Sequence, residues 1–421
     1  MELFFKKLVG MALVLSIAII CAVSVTAAQV TEVNMWIMPN SNKSQADLEE
    51  VLAKFHREHK DIKVRLTILD WGAAWPKITT AATSGDVPDI VQLGTTWVSS
   101  ISAMGALEDF SARVNEIGGS SAFLPSSWKT ASVEGSDKIT AIPWFVDARA
   151  MFYRTDVFKK LKIKPSDIDT WEGLELALQK IKDANLVIDG VKVNPLGFTG
   201  KNDWNVIHNL APWIWGAGGE FLTKDNKASA IDSDEVVNGL SYYLGLVRKG
   251  FVPLDCLEQN TAQVSTGFDN GQYAIVFDGP YKIKSLTTPS QRGGALDTIA
   301  AKRFGILPYP KGPEGQYTFI GGNDLGIFKA SKKKDAAWEV VKYLSSPEAQ
   351  LHYAKLTGYL PATKKALADP YFTKDINRKV YVEVVKNGKT YPTIPAWGLL
   401  ENVLIRRFGV MWDHLLGSIR K

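Results

Sequence analysis

Val30-Thr31-Glu32-Val33-Asn34-Met35-Trp36-Ile37-Met38 is an apolar, β-branched run, and Pro39-Asn40-Ser41 ends it. A run of this kind bounded by turn residues reads as a strand. Leu48, Val51, Leu52 and Phe55 then recur at helical spacing, and Val64, Leu66 and Ile68 alternate with Lys63, Arg65 and Thr67 as a strand should. The three segments make a β-α-β opening, which sets an α/β fold. Asp70-Trp71 ends the second strand, Trp75 to Thr83 reads as a short helix, and Ser84-Gly85-Asp86-Val87-Pro88-Asp89 turns into the strand Ile90-Val91-Gln92-Leu93. Each strand feeds a helix, and in open α/β sheets ligands sit beyond the carboxyl ends of strands. Three loops at such ends carry polar or aromatic groups: Asn40-Ser41, Asp70-Trp71 and Thr95-Thr96-Trp97. Capping and turn roles explain Ser41 and Thr95. They do not explain Trp71 and Trp97.

A second stretch, Asp203 to Gly219, places Trp204, Trp213, Trp215, Asn205, Asn209 and His208 in one helical span that stops at glycines. A pyranose ring has an apolar C–H face and an edge of hydroxyls, so its site needs flat aromatic platforms beside fixed donors and acceptors. Trp204 and His208 are four apart and share a face, with Asn205 beside them. The other reading is a buried amphipathic helix whose tryptophans are core. Helical spacing turns Trp213 and Trp215 partly away from Trp204, so these two read as packing. Asp203 reads as a helix cap or a ligand partner.

At 421 residues the chain is long for one compact unit, and two lobes are the natural expectation. Residues 1–28 read as a secretory signal: Lys6 and Lys7 start it, Leu8 to Val25 is apolar, and Thr26-Ala27-Ala28 offers a cleavage site. A retained membrane anchor is the rival reading. Lipidation at Cys21 is disfavoured by the bulky Ile19-Ile20 before it. Without Glu2, Lys6 and Lys7, Lys+Arg falls from 49 to 47 and Asp+Glu from 44 to 43. This mild, scattered basicity argues against a nucleic-acid surface. Cys256 is then the one cysteine left, so no internal disulfide forms. His56-Arg57-Glu58-His59 lacks the spacing of a helical zinc motif, and no nucleophile elbow, phosphate loop or calcium loop occurs. No cofactor and no metal is expected.

Further along, Ile139 to Phe145 and Ala150 to Arg154 read as strand segments around Val146-Asp147-Ala148-Arg149, with helices from Thr155 and from Thr170. Ala274 to Phe277, Phe304 to Leu307 and Leu325 to Phe328 read as strands. Gly321-Gly322-Asn323-Asp324 splits the last two, and Trp397 to Leu416 reads as the final helix.

Several segments carry a resemblance. Ser84 to Ile90, Ile142 to Asp147 with Phe152 to Phe158, and Phe268 to Ala274 leading to Gly279-Pro280-Tyr281 resemble the solute-binding proteins of bacterial carbohydrate ABC transporters. So do Asp335 to Gln350 and Gly358-Tyr359-Leu360-Pro361-Ala362. The matches follow the family's order over nearly all of the mature chain.

The resemblance implies a periplasmic-binding fold of two α/β lobes with a cleft between them and several crossovers. It puts residues 29–145 and 303–348 in the first lobe and 146–302 and 349–421 in the second. It also implies ligand-binding positions: Asn40, Trp71 and Trp97 in loops after strands, Asp147 at the first crossover, and Trp204, Asn205 and His208 in the second lobe. Tyr281 stands where members usually carry tryptophan. Gly321, Gly322 and Asn323 match a loop that lets backbone approach the sugar, and Trp397 an aromatic at the start of the last helix. The expected function is capture of a neutral carbohydrate by lobe closure and delivery to membrane permease subunits, by an extracytoplasmic monomer that is not an enzyme. The rival is a secreted glycoside-active enzyme with Asp147 and Asp203 as its paired carboxylates. Arg149 and Arg154 speak for an anionic ligand if they face the cleft, but read better as structural partners of nearby acids such as Asp156.

Overall fold

A computed structural model describes residues 30–201 and 203–419. The secretory signal, its cleavage site and Cys21 therefore lie outside the described residues. β1 (Thr31–Ile37) and β2 (Ile62–Ile68) pair in parallel around α1 (Ser44–Glu58). That helix buries Leu48, Val51, Leu52 and Phe55, the stripe read from spacing. Burying each such side chain contributes roughly 1.5–3 kcal/mol, which outweighs the weak propensity of the helix alone. α2 (Trp71–Ser84) starts four residues earlier than its spacing suggests. The cause is Asp70, whose Oδ1 accepts from the Gly72 amide at 2.9 Å and so caps the helix ahead of Trp71.

β3 (Ile90–Gly94) joins β1 in parallel, and β4 (Ile142–Ala148) is buried along its whole length. After Arg149 alone, β5 (Ala150–Arg154) enters a second sheet. β6 (Asn194–Gly197), α3 (Val206–Gly216), β7 (Tyr273–Asp278) and β8 (Phe304–Leu307) build the second lobe. β9 (Thr318–Ile327), α4 (Pro347–Thr357), β10 (Leu360–Pro361), β11 (Gly388–Lys389) and α5 (Trp397–Ile419) follow. The first sheet has the order β10-β4-β9-β3-β1-β2, with β11 alongside β9, and the second has β8-β5-β7-β6.

This pairing corrects the lobe boundaries, beginning with β4, which keeps Val146 to Ala148, Asp147 included, in the first sheet. β8 lies antiparallel to β5, so residues 304–307 belong with the second lobe, not the first. β10 pairs with β4 and α4 packs on α1, so residues 349–361 belong with the first. Gly321, Gly322 and Asn323 are also not a loop. They sit inside the continuous strand β9, where a bulge between Asn323 and Asp324 absorbs the irregularity. Gly322 has φ +128°, and a Cβ there would meet the Phe145 carbonyl of β4 at 2.1 Å. The glycine is required by its neighbouring strand.

Two chain crossings lie side by side at the junction of the lobes. Thr318, at the start of β9, donates its hydroxyl to the Arg149 carbonyl at 2.5 Å and accepts from the Arg149 amide at 3.3 Å. The pair ties the crossing from β4 to β5 to the return crossing ahead of β9. No helix of the described residues is long and apolar enough to cross a membrane.

Candidate ligand-binding site

The first lobe contributes the carboxyl ends of its strands. Asn40, two residues beyond Met38, donates its amide to Gln92 Oε1 at 3.1 Å and to the Tyr353 hydroxyl at 2.8 Å. Gln92 of β3 returns Nε2 to Asn40 Oδ1 at 3.0 Å and to Asn323 Oδ1 at 2.9 Å. Its Oε1 also accepts from the Met38 amide at 3.0 Å. Buried amides must be satisfied, and here three of them satisfy one another across β1, β3 and β9. Asn40 is thereby held by protein partners.

Aromatic platforms stand next to this network. The Trp71 indole N–H donates to the Pro39 carbonyl at 3.1 Å, which fixes the ring against the loop carrying Asn40. Trp97 meets it edge-on at 5.8 Å, and Trp75 backs Trp97 at 5.6 Å. From the second lobe Trp204, 45% exposed, faces Trp71 with centroids 6.1 Å apart and planes 21° from parallel. Trp204 precedes α3 in a turn held by Asp203. Asp203 Oδ1 accepts from the Asn205 amide at 2.8 Å and the Thr261 hydroxyl at 2.7 Å, and Oδ2 from the Thr261 amide at 2.8 Å. All of these bonds are internal, so Asp203 acts as a structural acceptor.

Between the lobes lies a buried charged centre. Arg149 Nη1 donates to Asp147 Oδ2 at 2.6 Å, while Nη2 and Nε donate to Asn205 Oδ1 at 2.9 and 3.3 Å. Burial pushes the Asp147 carboxyl up from the usual carboxylate range, and the Arg149 charge opposes that push. Gly279 lets the second lobe come close: a Cβ there would stand 2.7 Å from Asp147 Oδ1 and 2.4 Å from the Tyr281 ring. Tyr281 in turn approaches Tyr359 at 5.3 Å. Arg154, by contrast, forks onto Asp156 at 2.7 and 2.6 Å, the structural pairing its sequence neighbours suggest.

His208 touches Trp204 edge-on at 5.8 Å but lies flat on Phe319 of β9, with centroids 4.0 Å apart. Its Nδ1 pairs with the Tyr391 hydroxyl at 3.0 Å. Burial, then the nearby Arg149 charge, holds its pKa well below the ordinary histidine value, so the ring is neutral at pH 7. Glu401 of α5 lies 3.9 Å away, and burial raises its carboxyl to about 7 against a bond from Thr96. The contact is therefore not a full ion pair near neutrality.

Trp397 is a correction. It is fully buried, with Tyr391 stacked on it at 4.6 Å and Phe221 edge-on at 5.8 Å, so its face is covered by protein. Gly322 stands inside the sheet, as described above. Trp213 and Trp215 are core, as read.

Trp71, Trp97, Trp204, Asn205, His208, Asp147 and Tyr281 are thus joined in one neighbourhood, with Asn40 and Asn323 linked through Gln92. Sequence reasoning passed over Gln92, Tyr353, Phe319, Tyr391 and Glu401. Gln92 had a signal, since a polar residue in an otherwise apolar strand needs a buried partner. The others carry no local pattern. A groove of about 880 Å³ lined by Lys129, Glu134, Glu220, Lys224 and Lys389 lies apart, and none of the cleft tryptophans lines it.

Comparison with known proteins bears on this architecture. Residues 39–351 match the bacterial extracellular solute-binding protein family. A diacetylchitobiose binding protein of Streptomyces coelicolor, DasA, is 26% identical over 374 residues, covering 87% of this chain and 81% of its own. A putative binding protein of Brucella abortus is 24% identical over 375 residues, covering 88% of this chain and 86% of its own. The solved structure of maltose-bound MalE3 from T. maritima superposes with TM-score 0.79 at 24% identity, covering 91% of this chain and 95% of its own. The matched residues run from the loop after β1 into α4, through both sheets and both crossings, and the chain belongs to the bacterial extracellular solute-binding proteins.

Proposed function

We propose that this protein is the extracytoplasmic capture component of an ABC importer and holds a neutral carbohydrate between its lobes. The observation that carries the reading is the pair of indole faces, Trp71 from one lobe and Trp204 from the other, 6.1 Å apart beside Asp147, Asn205 and Arg149. Aromatic faces suit the C–H face of a sugar ring, and the adjoining polar atoms suit its hydroxyl edge. Relatives named for diacetylchitobiose and for maltooligosaccharides support the same class of ligand. A ligand that touches both lobes favours the closed arrangement by its differential contacts, and closure is what membrane permease subunits would read.

The mature protein would start near Ala28 or Gln29, work as a monomer, and need no cofactor. Catalysis by Asp147 and Asp203 is disfavoured because both carboxylate oxygens of Asp203 are engaged by the Asn205 amide and by the amide and hydroxyl of Thr261. A thermal-shift screen over neutral mono- and oligosaccharides tests the proposal, since a ligand binding only the folded state raises its melting temperature. At least one neutral sugar should raise it by several degrees. No shift with any of them, together with hydrolysis of a glycoside, would favour the enzyme instead.

A further inference from the structure

Arg149 is wholly buried, yet it lies where the two lobes and both chain crossings meet. A guanidinium is donor-only, so whatever group it bonds must turn an oxygen toward it. Asn205 does so with Oδ1, and its Nδ2 is left facing elsewhere. Asp147 gives Oδ2 to Arg149 and keeps Oδ1. These two remaining atoms, Asp147 Oδ1 and Asn205 Nδ2, are buried with no hydrogen-bond partner among the described residues. An unmet buried polar atom carries an uncompensated desolvation cost, so two on one guanidinium point to a ligand group that meets both. One is an acceptor from the first lobe and the other a donor from the second. The Trp204 ring lies 6.0 Å from the guanidinium carbon, and the glycine at 279 keeps a side chain away from Asp147 Oδ1.

We propose that Arg149 is a positioning residue: it orients Asp147 and Asn205 so that one sugar hydroxyl donates to Asp147 Oδ1 and accepts from Asn205 Nδ2. A hydroxyl is a donor and an acceptor at once, which is the combination the two atoms ask for. Each lobe supplies half of the contact, so this hydroxyl is read only in the closed state. The Arg149 charge is spent on Asp147, and the arginine does not recruit an anion. The inference rests on the proposed function and adds to it the residue that sets hydroxyl selectivity.

The test uses Asn205→Asp, which keeps an oxygen for Arg149 and replaces the free donor with an acceptor, adding a carboxylate that the guanidinium can pair, and Arg149→Lys, whose point charge cannot hold both partners. Circular dichroism checks that each folds; if Arg149→Lys does not, Asn205→Asp carries the test. Calorimetry is run with maltose, diacetylchitobiose, glucose and glucuronate, and then with the monodeoxy analogues of whichever sugar binds. In the wild type, one deoxy position should lose about tenfold or more in affinity, the order of a hydrogen bond made inside a buried site. Asn205→Asp should lose a similar factor for the parent sugar and be nearly indifferent to that same deoxygenation, because coupled groups are not additive. A merely structural role would weaken all analogues equally. Wild-type affinity for the parent sugar in Asn205→Asp, equal losses for every analogue, or preference for glucuronate would overturn the inference alone. Absence of neutral-sugar binding by the wild type would bring down the proposed function as well.

Discussion

At the scale of single residues, the tryptophans divide by what covers their faces. Trp204 is 45% exposed and Trp213 fully buried, although both belong to the same aromatic stretch. Trp204→Ala should therefore leave the melting temperature nearly unchanged and weaken sugar binding by about tenfold or more, as truncation of a central aromatic contact does. Trp213→Ala should cost roughly 3–5 kcal/mol of stability, by denaturant titration, through the cavity it leaves. Two buried acids set a pH dependence. Burial raises the carboxyls of Glu401 and Asp324 to about 7, with Thr96 and Thr130 bonds only partly opposing it. Their folded pKa values lie above the unfolded ones, so at these two groups the folded state holds more protons and their contribution to stability falls as pH rises from about 4.5 to 7, while His208, with its pKa lowered, slopes the other way. Glu401→Gln should flatten its share of that slope, on the order of 3 kcal/mol, in melts taken from pH 5 to pH 8. A slope unchanged by the substitution would mean that Glu401 ionises normally.

At the scale of elements, β9 shows how far local pattern reaches. The strand carries Phe319 under His208, Asn323 on Gln92, and Gly322 against the Phe145 carbonyl. Gly322→Ala should destabilise the protein by more than about 2 kcal/mol, because it adds backbone strain at positive φ to a clash with β4. A melting temperature within a degree of wild type would contradict that account of the strand. Sequence pattern read only Leu325 to Phe328 as strand here and placed Gly321 to Asp324 in the connection before it, since adjacent glycines punctuate a chain when no partner strand is visible. The α1 stripe and the β1 and β2 runs were legible because burial there follows one regular period. Trp71 and Trp204 stood out as candidates because no capping or packing pattern around them accounted for an indole, and the fold brings the two rings face to face. Gln92, Tyr353 and Tyr391 were not, because their roles depend on partners 52 to 313 residues away, as the Asn40 bonds to Gln92 and Tyr353 illustrate. The burial of Trp397 under Tyr391 is likewise a tertiary fact that its place at the start of α5 does not disclose.

At the scale of the whole molecule, the two lobes are joined by crossings that Thr318 ties together at Arg149, and their facing surfaces meet through Trp71 and Trp204. Such a junction lets the lobes hinge while the site is divided between them. A neutral ligand in this cleft should bind almost equally at low and high salt, because no Coulomb attraction is there to be screened. A ligand that touches both lobes should close the molecule. Small-angle scattering of the protein, with and without a saturating concentration of the sugar that raises its melting temperature, measures this directly. The account predicts a smaller radius of gyration with sugar, and a Trp204→Ala variant that needs more sugar to reach it. An unchanged radius of gyration at saturation would contradict it.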